Sequence, residues 1–138
     1  GGAGRAVAGG AGGARTGAGG AVVARGGGHV GVGGYGAGRL RVRLGEADSA
    51  SVVPAVDATM TSAVQAVGDP LVGVILTGMG ADGSAGIRAM ADAGARTIAQ
   101  SEDTCVVYGM PKRAVETGAV DAVCDIDDVA ATILEGEA

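Results

Sequence analysis

At 138 residues the chain is one domain's worth of polypeptide, and its 47% apolar share is nearly all Ala, Val, Leu and Ile, with two Tyr and neither Phe nor Trp. A nucleic-acid stacking platform has almost nothing to stack with, and a net charge of -5 disfavours nucleic acid and anionic membrane as partners of the whole chain. The longest apolar run falls far short of the roughly 20 residues that cross a bilayer, and no signal-peptide core opens the chain, so the cytoplasm is the expected compartment.

Composition divides the chain near Gly45: all 15 acidic residues follow it, whereas Arg5, Arg15, Arg25, Arg39, Arg41, Arg43 and most of the 29 glycines precede it or lie at it. Residues 1–20 are Gly/Ala low complexity without a hydrophobic period, expected to be loose because glycine's backbone entropy opposes order. The arginines there read as solvated charge. Cys105 and Cys124 are too far apart for a C-x-x-C site, and the single histidine, His29, is remote from both, so a zinc site is not expected. Each cysteine reads as a small reduced core residue.

In chain order, "AVVAR" at 21–25 reads as a short strand. "GRLRVRLGE" alternates Leu40, Val42 and Leu44 with Arg39, Arg41 and Arg43, the pattern of a half-buried strand; together the two suggest a peripheral strand pair. "PAVDATMTSAVQAVGDP" places Val56, Met60, Ala63, Val64 and Val67 at helical spacing, with Gly68, Asp69 and Pro70 as the stop. "LVGVILT" is a near-continuous apolar run, as expected of a strand buried on both faces of a parallel sheet.

After a glycine loop, the spacing predicts a helix over 84–93 with Ile87, Met90 and Ala91 inward and Gly94 at C′. "RTIAQ" is the next strand. "MPKRAVETG" is a helix opened by Pro111 and closed by Gly118, and "AVDAVCDI" is a third strand. "DDVAATILEG" is a last helix, with Asp127 as candidate cap and Val129, Ile133 and Leu134 inward. The order βαβαβα implies an α/β fold with a parallel sheet and right-handed crossovers, in which ligands meet the loops at the carboxyl ends of the strands.

One such loop is "LTGMGADGSAG", residues 76–86, and it admits two readings. Gly78, Gly80 and Gly83 spell G-x-G-x-x-G after a buried strand and before a helix, with Glu102 at about the distance a dinucleotide fingerprint asks for. Against this, Asp82 would lie close to the pyrophosphate; at about 4 Å and an effective dielectric near 20, two like unit charges repel by roughly 4 kcal/mol. In the other reading the glycines let the backbone turn sharply and present Asp82 at the sheet's edge, its charge stabilised by the helix dipole and suited to orienting a histidine. From the pattern alone, a simple cap of the following helix fits Asp82 equally well.

The stretch 72–123 resembles the carboxy-terminal half of the chemotaxis methylesterase CheB family: LTGMGxDGxxG at 76–86, AGxxTxAQ at 93–100 and CVVxGMPxxAxxxG at 105–118, with weaker similarity back to 21. The resemblance implies that 21–138 is the carboxy-terminal portion of a three-layer α/β esterase domain. That domain removes methyl groups from glutamate methyl esters on chemotaxis receptors and deamidates certain receptor glutamines, with no cofactor. It further implies a serine, histidine and aspartate triad, with Asp82 as the aspartate and Met79 and Gly80 lining the same pocket.

The family's glycine-flanked Ser-Thr motif and its Gln-His pair do not occur here. The chain thus reads as beginning after both and as inactive alone, and the receiver domain expected upstream is also missing. The alternatives are a non-catalytic remnant or interaction module of the same fold, and a nucleotide-binding domain. His29 corresponds to a different, later histidine of the family and reads as a surface-loop residue. Ser84 and Ser101, with no evident partner base, read as a helix cap or polar loop residues.

Overall fold

A computed structural model of the chain describes residues 5–8, 14–16, 20–23, 28–34, 40–46, 56–66 and 71–135. These fall in two compact units, Gly1–Gly68 and Asp69–Ala138. Of the readings made on residues 1–20, those on 1–4, 9–13 and 17–19 lie outside the described residues, as do Val67 and the helix stop at Gly68, Asp69 and Pro70.

In the first unit, β1 (Arg5–Ala8) pairs in parallel with β3 (Gly20–Val23). A second sheet has the order β2 (Ala14–Thr16), β5 (Leu40–Glu46), β4 (Gly28–Gly34), all antiparallel. Both strands read from sequence exist, but they do not pair with each other: β3 takes β1, and β5 takes β4 and β2. The ladder explains the choice. The β4–β5 register sets Val30 opposite Leu44 and Val32 opposite Val42, while Gly31 and Gly33 face Arg43 and Arg41, so two alternating strands match apolar to apolar. His29 stands in this ladder opposite Gly45. The helix α1 (Val56–Ala66) contacts β4 and buries Met60 and Ala63 at the spacing its sequence predicts.

The second unit is a three-stranded parallel sheet of order β6 (Val72–Ile75), β7 (Arg96–Gln100), β8 (Ala122–Cys124). The helices α2 (Ser84–Asp92) and α3 (Met110–Glu116) are its successive crossovers, and α4 (Val129–Glu135) follows β8. Because the strand order runs in one direction, both crossovers belong on one face; α2 and α3 contact each other and both contact β6 and β7.

The strand buried on both faces is β7 rather than β6, apart from its first residue, Arg96. Thr97, Ile98, Ala99 and Gln100 are all buried, whereas β6 alternates, with Val72 exposed and Gly73 and Ile75 buried. The reason is position, since β7 lies between two strands and β6 ends the sheet. Ile75, Ile87, Met90, Ile98 and Ala114 form the apolar core beside β7. Each isoleucine removed from water contributes about 1.5–3 kcal/mol.

Helix ends follow local chemistry. Gly94 adopts φ +89 at C′ of α2, with the Ala95 N–H donating to the Met90 carbonyl (2.9 Å) and the Gly94 N–H to the Ala91 carbonyl (3.0 Å), the Schellman pattern. Pro111 lies in the first turn of α3, and Gly118 (φ +78) follows its C-cap.

The last helix departs from expectation. A 3₁₀ turn, residues 126–128, precedes it, with Asp125 rather than Asp127 at the N-cap, and Leu134 is 62% exposed instead of inward. Val129 and Ile133 are half-buried. Val129 and Ile133, one turn apart, keep the inward face, while Leu134 lies about 100° round the helix from Ile133 and falls off it. The helix α4 is tied to β7 by Arg96, whose Nη1 donates to the Ile133 carbonyl (3.2 Å).

Candidate functional site

Three loops leave the carboxyl ends of β6, β7 and β8, at residues 76–83, 101–109 and 125–128, and polar contacts stitch them into one rim. Gln100, at the end of β7 and only 2% exposed, is the central stitch. Its Oε1 accepts the Thr77 N–H (2.8 Å), and its Nε2 donates to the Thr104 carbonyl (2.8 Å) and to Thr104 Oγ1 (3.3 Å). A buried primary amide with both ends engaged satisfies groups that would otherwise cost about 1–3 kcal/mol each.

The first two loops are also joined directly. Thr77 Oγ1 accepts the Val107 N–H (2.8 Å) and donates to the Val107 carbonyl (3.1 Å). The Gly78 N–H donates to that same carbonyl (3.0 Å), and the Gly78 carbonyl accepts from Gly109 (3.0 Å) and Met110 (2.8 Å). Gly78 and Tyr108 form an isolated parallel bridge, which extends the sheet pairing into the loops.

The second and third loops are held by hydroxyls. Thr104 Oγ1 accepts from Gln100 and from the Ile126 N–H (3.1 Å), so its own proton points to Ser101 Oγ (3.1 Å). Ser101 Oγ in turn donates to Asp125 Oδ1 (2.5 Å). Ser101 is thereby committed to the rim, which agrees with its reading as a polar loop residue.

Asp82 sits in this frame between two anchors. On one side the stem Thr77–Gly78 is fixed to the second loop. On the other, Gly83 takes the N-cap position of α2 with φ 99, the Ser84 N–H donates to the Ala81 carbonyl (3.2 Å), and the Ile87 N–H donates to the Gly83 carbonyl (2.8 Å). The fully buried Ile87 pins that turn to the core. Asp82 is half-buried immediately before the N-cap, where the helix dipole favours a carboxylate. Gly80 takes φ +94, a conformation open to glycine at little cost, and Met79 is 83% exposed at the loop tip.

The three candidate residues Met79, Gly80 and Asp82 therefore share one short loop. Ser84, by contrast, has its Oγ buried with no hydrogen-bond partner among the described residues. Cys105 and Cys124 are half-buried free thiols, and Cys105 Sγ lies 3.9 Å from the Gln100 carbonyl. No group of three or more His, Cys, Asp or Glu among the described residues could hold a metal ion, and no described helix is long and apolar enough to cross a membrane.

Sequence reasoning assigned no role to Gln100 or Gly109. For Gln100 a signal existed: a glutamine closing the apolar run "RTIAQ" is a polar group that the sheet must bury and satisfy. Gly109 gave none, because its constraint comes from Gly78 across the loops.

A parallel α/β sheet with a carboxylate-bearing glycine loop at its carboxyl rim is the architecture of an α/β domain whose site lies on its strand-end loops. The family model for CheB methylesterase matches residues 5–133, beginning inside the segment set apart on composition, and the chain belongs to that family. It is similar to a Haloarcula marismortui protein named protein-glutamate methylesterase/protein-glutamine glutaminase, 56% identical over 102 residues, or 73% of this chain and 28% of that one. An Anaeromyxobacter dehalogenans protein of the same name, numbered 4, is 58% identical over 87 residues, covering 62% of this chain and 24% of its own.

The chain thus spans under a third of the length of either relative. Among solved structures, the Thermotoga maritima CheB methylesterase catalytic domain matches with a TM-score of 0.83 at 34% identity, over 89% of this chain and 65% of that one.

Proposed function

We propose that this chain supplies the acid of a protein-glutamate methylesterase and glutaminase centre, and that the acid is Asp82. The observation that carries the reading is the position of Asp82 in a chain of this family, held between the anchored stem Thr77–Gly78 and the start of α2 at the sheet's carboxyl rim. The geometry of Gly78 also favours it over a dinucleotide loop. A Cβ there would meet Met110 Sδ at 2.5 Å, so this glycine serves loop-to-loop packing.

In the proposed reaction a serine oxygen attacks the carbonyl of a glutamate methyl ester while an imidazole takes its proton. The imidazolium returns that proton to the departing methanol, and water then releases the acid by the same steps in reverse order. With a glutamine side chain, ammonia leaves instead. Asp82 fixes the imidazole tautomer and offsets its positive charge. The Ser-Thr and Gln-His motifs do not occur in these 138 residues, so the serine and histidine come from another polypeptide segment, and the chain alone is inactive. Residues 21–138 are the carboxy-terminal portion of the domain, Met79 and Gly80 line the pocket, the substrates are methylated chemotaxis receptors in the cytoplasm, and a receiver domain is the regulatory partner. No cofactor, nucleic acid or membrane insertion is involved.

The test is complementation. The chain is mixed with a family fragment carrying the serine and histidine half, and methanol release from methylated receptor is followed. Activity is expected only in the mixture, and Asp82→Asn is expected to lower kcat by about 10⁴, as for the equivalent change in a serine protease triad. Restored activity that ignores Asp82→Asn would remove this residue from the centre; a mixture that folds and associates but stays inactive would favour a non-catalytic remnant.

A further inference from the structure

We infer that Gln100 is a positioning residue for the Asp82 loop: its buried side-chain amide sets where the loop leaves the sheet and thereby where the carboxylate stands. The inference rests on the reading of Asp82 as the acid and names the group that holds it in register.

Gln100 is one of only two buried polar side chains among the described residues, with Thr97 the other, and both lie on the central strand β7. Their work differs. Thr97 bonds into the turn before β8 at the opposite end of the strand, through the Ala119 carbonyl (2.5 Å) and the Asp121 N–H (2.9 Å). Gln100 faces the carboxyl rim and spans two loops at once, taking the Thr77 N–H on Oε1 and giving Nε2 to the Thr104 carbonyl, both at 2.8 Å.

Thr77 is the second residue past the end of β6, whose ladder with β7 stops at Ile75–Ala99. Beyond the ladder, β7 reaches the outgoing chain through the Gln100 side chain. Glutamine has the required reach and carries a donor and an acceptor on one planar group, so neither loop can shift without breaking a bond to a buried amide. Thr77 then passes the constraint on through Val107 to Gly78, from which the loop runs to Asp82. A catalytic group displaced by about 1 Å can lose on the order of 10² in rate, so this link governs turnover more than binding.

The experiment compares the chain with Gln100→Met, which keeps the length and apolar filling of the side chain but neither hydrogen bond, and with Ile98→Val, which loosens the core of the same strand without touching the rim. In the complemented assay, below the unfolding temperature of every variant, Gln100→Met is expected to lower kcat about 10–100-fold with KM within about twofold, and Ile98→Val to change neither beyond twofold.

Amide hydrogen exchange on the 138-residue chain alone supplies a readout that needs no activity. The Thr77 amide is expected among the slow-exchanging amides of the parent. It should exchange at least tenfold faster in Gln100→Met while Ile75 and Ile98 keep their protection.

Unchanged Thr77 exchange in Gln100→Met would overturn the inference, as would rapid Thr77 exchange in the parent, which decides the matter even should the variant not fold. Faster exchange with undiminished kcat would overturn the catalytic half. Loss of the Asp82→Asn effect, with the Gln100 exchange result intact, would point instead to failure of the reading on which the inference rests.

Discussion

Gly109 lies so close to Gly78 that a Cβ built on it would come within 2.7 Å of the Gly78 carbonyl oxygen, and within 3.0 Å of the Gly80 nitrogen. These neighbours are backbone and cannot swing aside. A Cβ on Gly78 meets only the flexible Met110 side chain, whose Sδ lies at 2.5 Å and can rotate away. Gly109→Ala is therefore expected to lower stability by about 1–3 kcal/mol and Gly78→Ala by less, measured by urea denaturation. Equal costs would show that the two loops are not in rigid contact.

Ser84 gives a prediction of the opposite sign. Its Oγ is buried without a hydrogen-bond partner among the described residues, at the first position of α2. Removing a desolvated hydroxyl and gaining alanine's helix propensity both favour the folded state. Ser84→Ala should raise stability by up to about 1 kcal/mol, seen as a later urea midpoint. A loss of 1 kcal/mol or more would mean that the hydroxyl has a partner.

How much of this was legible in the sequence depended on whether the constraint was local. The strand Arg96–Gln100 was read to the residue, and so were Gly94 closing α2 and Ile87 and Met90 facing inward, because turn chemistry and helical period act within a few positions. Leu134 was misread because α4 is short and covers only a narrow stripe through Val129 and Ile133, which leaves the next apolar residue exposed. The strand at 20–23 was given the wrong partner, since pairing is settled across the chain and not along it. At the rim, the turn that carries Asp82 was legible from its glycines, and Gly80 and Gly83 do take positive φ. The bond from Thr77 to Gln100 was not, because it spans a separation of 23 residues.

Thr97 is the second buried polar group on β7, and its loss should be felt in stability alone. Its Oγ1 donates to the Ala119 carbonyl and accepts the Asp121 N–H, while its own N–H donates to Asp121 Oδ2 (3.0 Å). Thr97→Val keeps the shape and strands the Ala119 carbonyl, while the Asp121 N–H keeps the Thr97 carbonyl (3.0 Å), at an expected cost of about 1–3 kcal/mol in thermal or urea unfolding. In the complemented assay kcat should be preserved wherever the variant is folded. A selective fall in kcat would carry the positioning role to the far end of the strand as well.

Met79 separates surface stability from site function. At 83% exposed it buries too little to matter to folding, so Met79→Ala should shift stability by no more than about 0.5 kcal/mol. As a residue proposed to line the pocket, it should raise KM for methylated receptor in the complemented assay. A variant indistinguishable from the parent in both KM and kcat would take Met79 out of the pocket.

Gly80 and Gly94 present the same backbone problem in two places, which makes them a paired test of whether the loop matters to chemistry. Gly80 has φ +94 and Gly94 φ +89, and a Cβ on either meets nothing within 4 Å. The cost of alanine at each is therefore conformational, about 1–2 kcal/mol for holding an L-residue in left-handed backbone, without a steric clash. Similar losses are expected in urea unfolding, and asparagine at either site should recover part of the loss. Function should divide them. Gly94 ends α2 away from the rim, whereas Gly80 lies between the anchored Gly78 and Asp82, where relief of the strain must move the loop. Gly80→Ala is expected to lower kcat in the complemented assay at least tenfold with both variants folded, and Gly94→Ala by less than twofold. Equal activities at equal stability would mean that the path of the backbone through Gly80 does not govern the carboxylate.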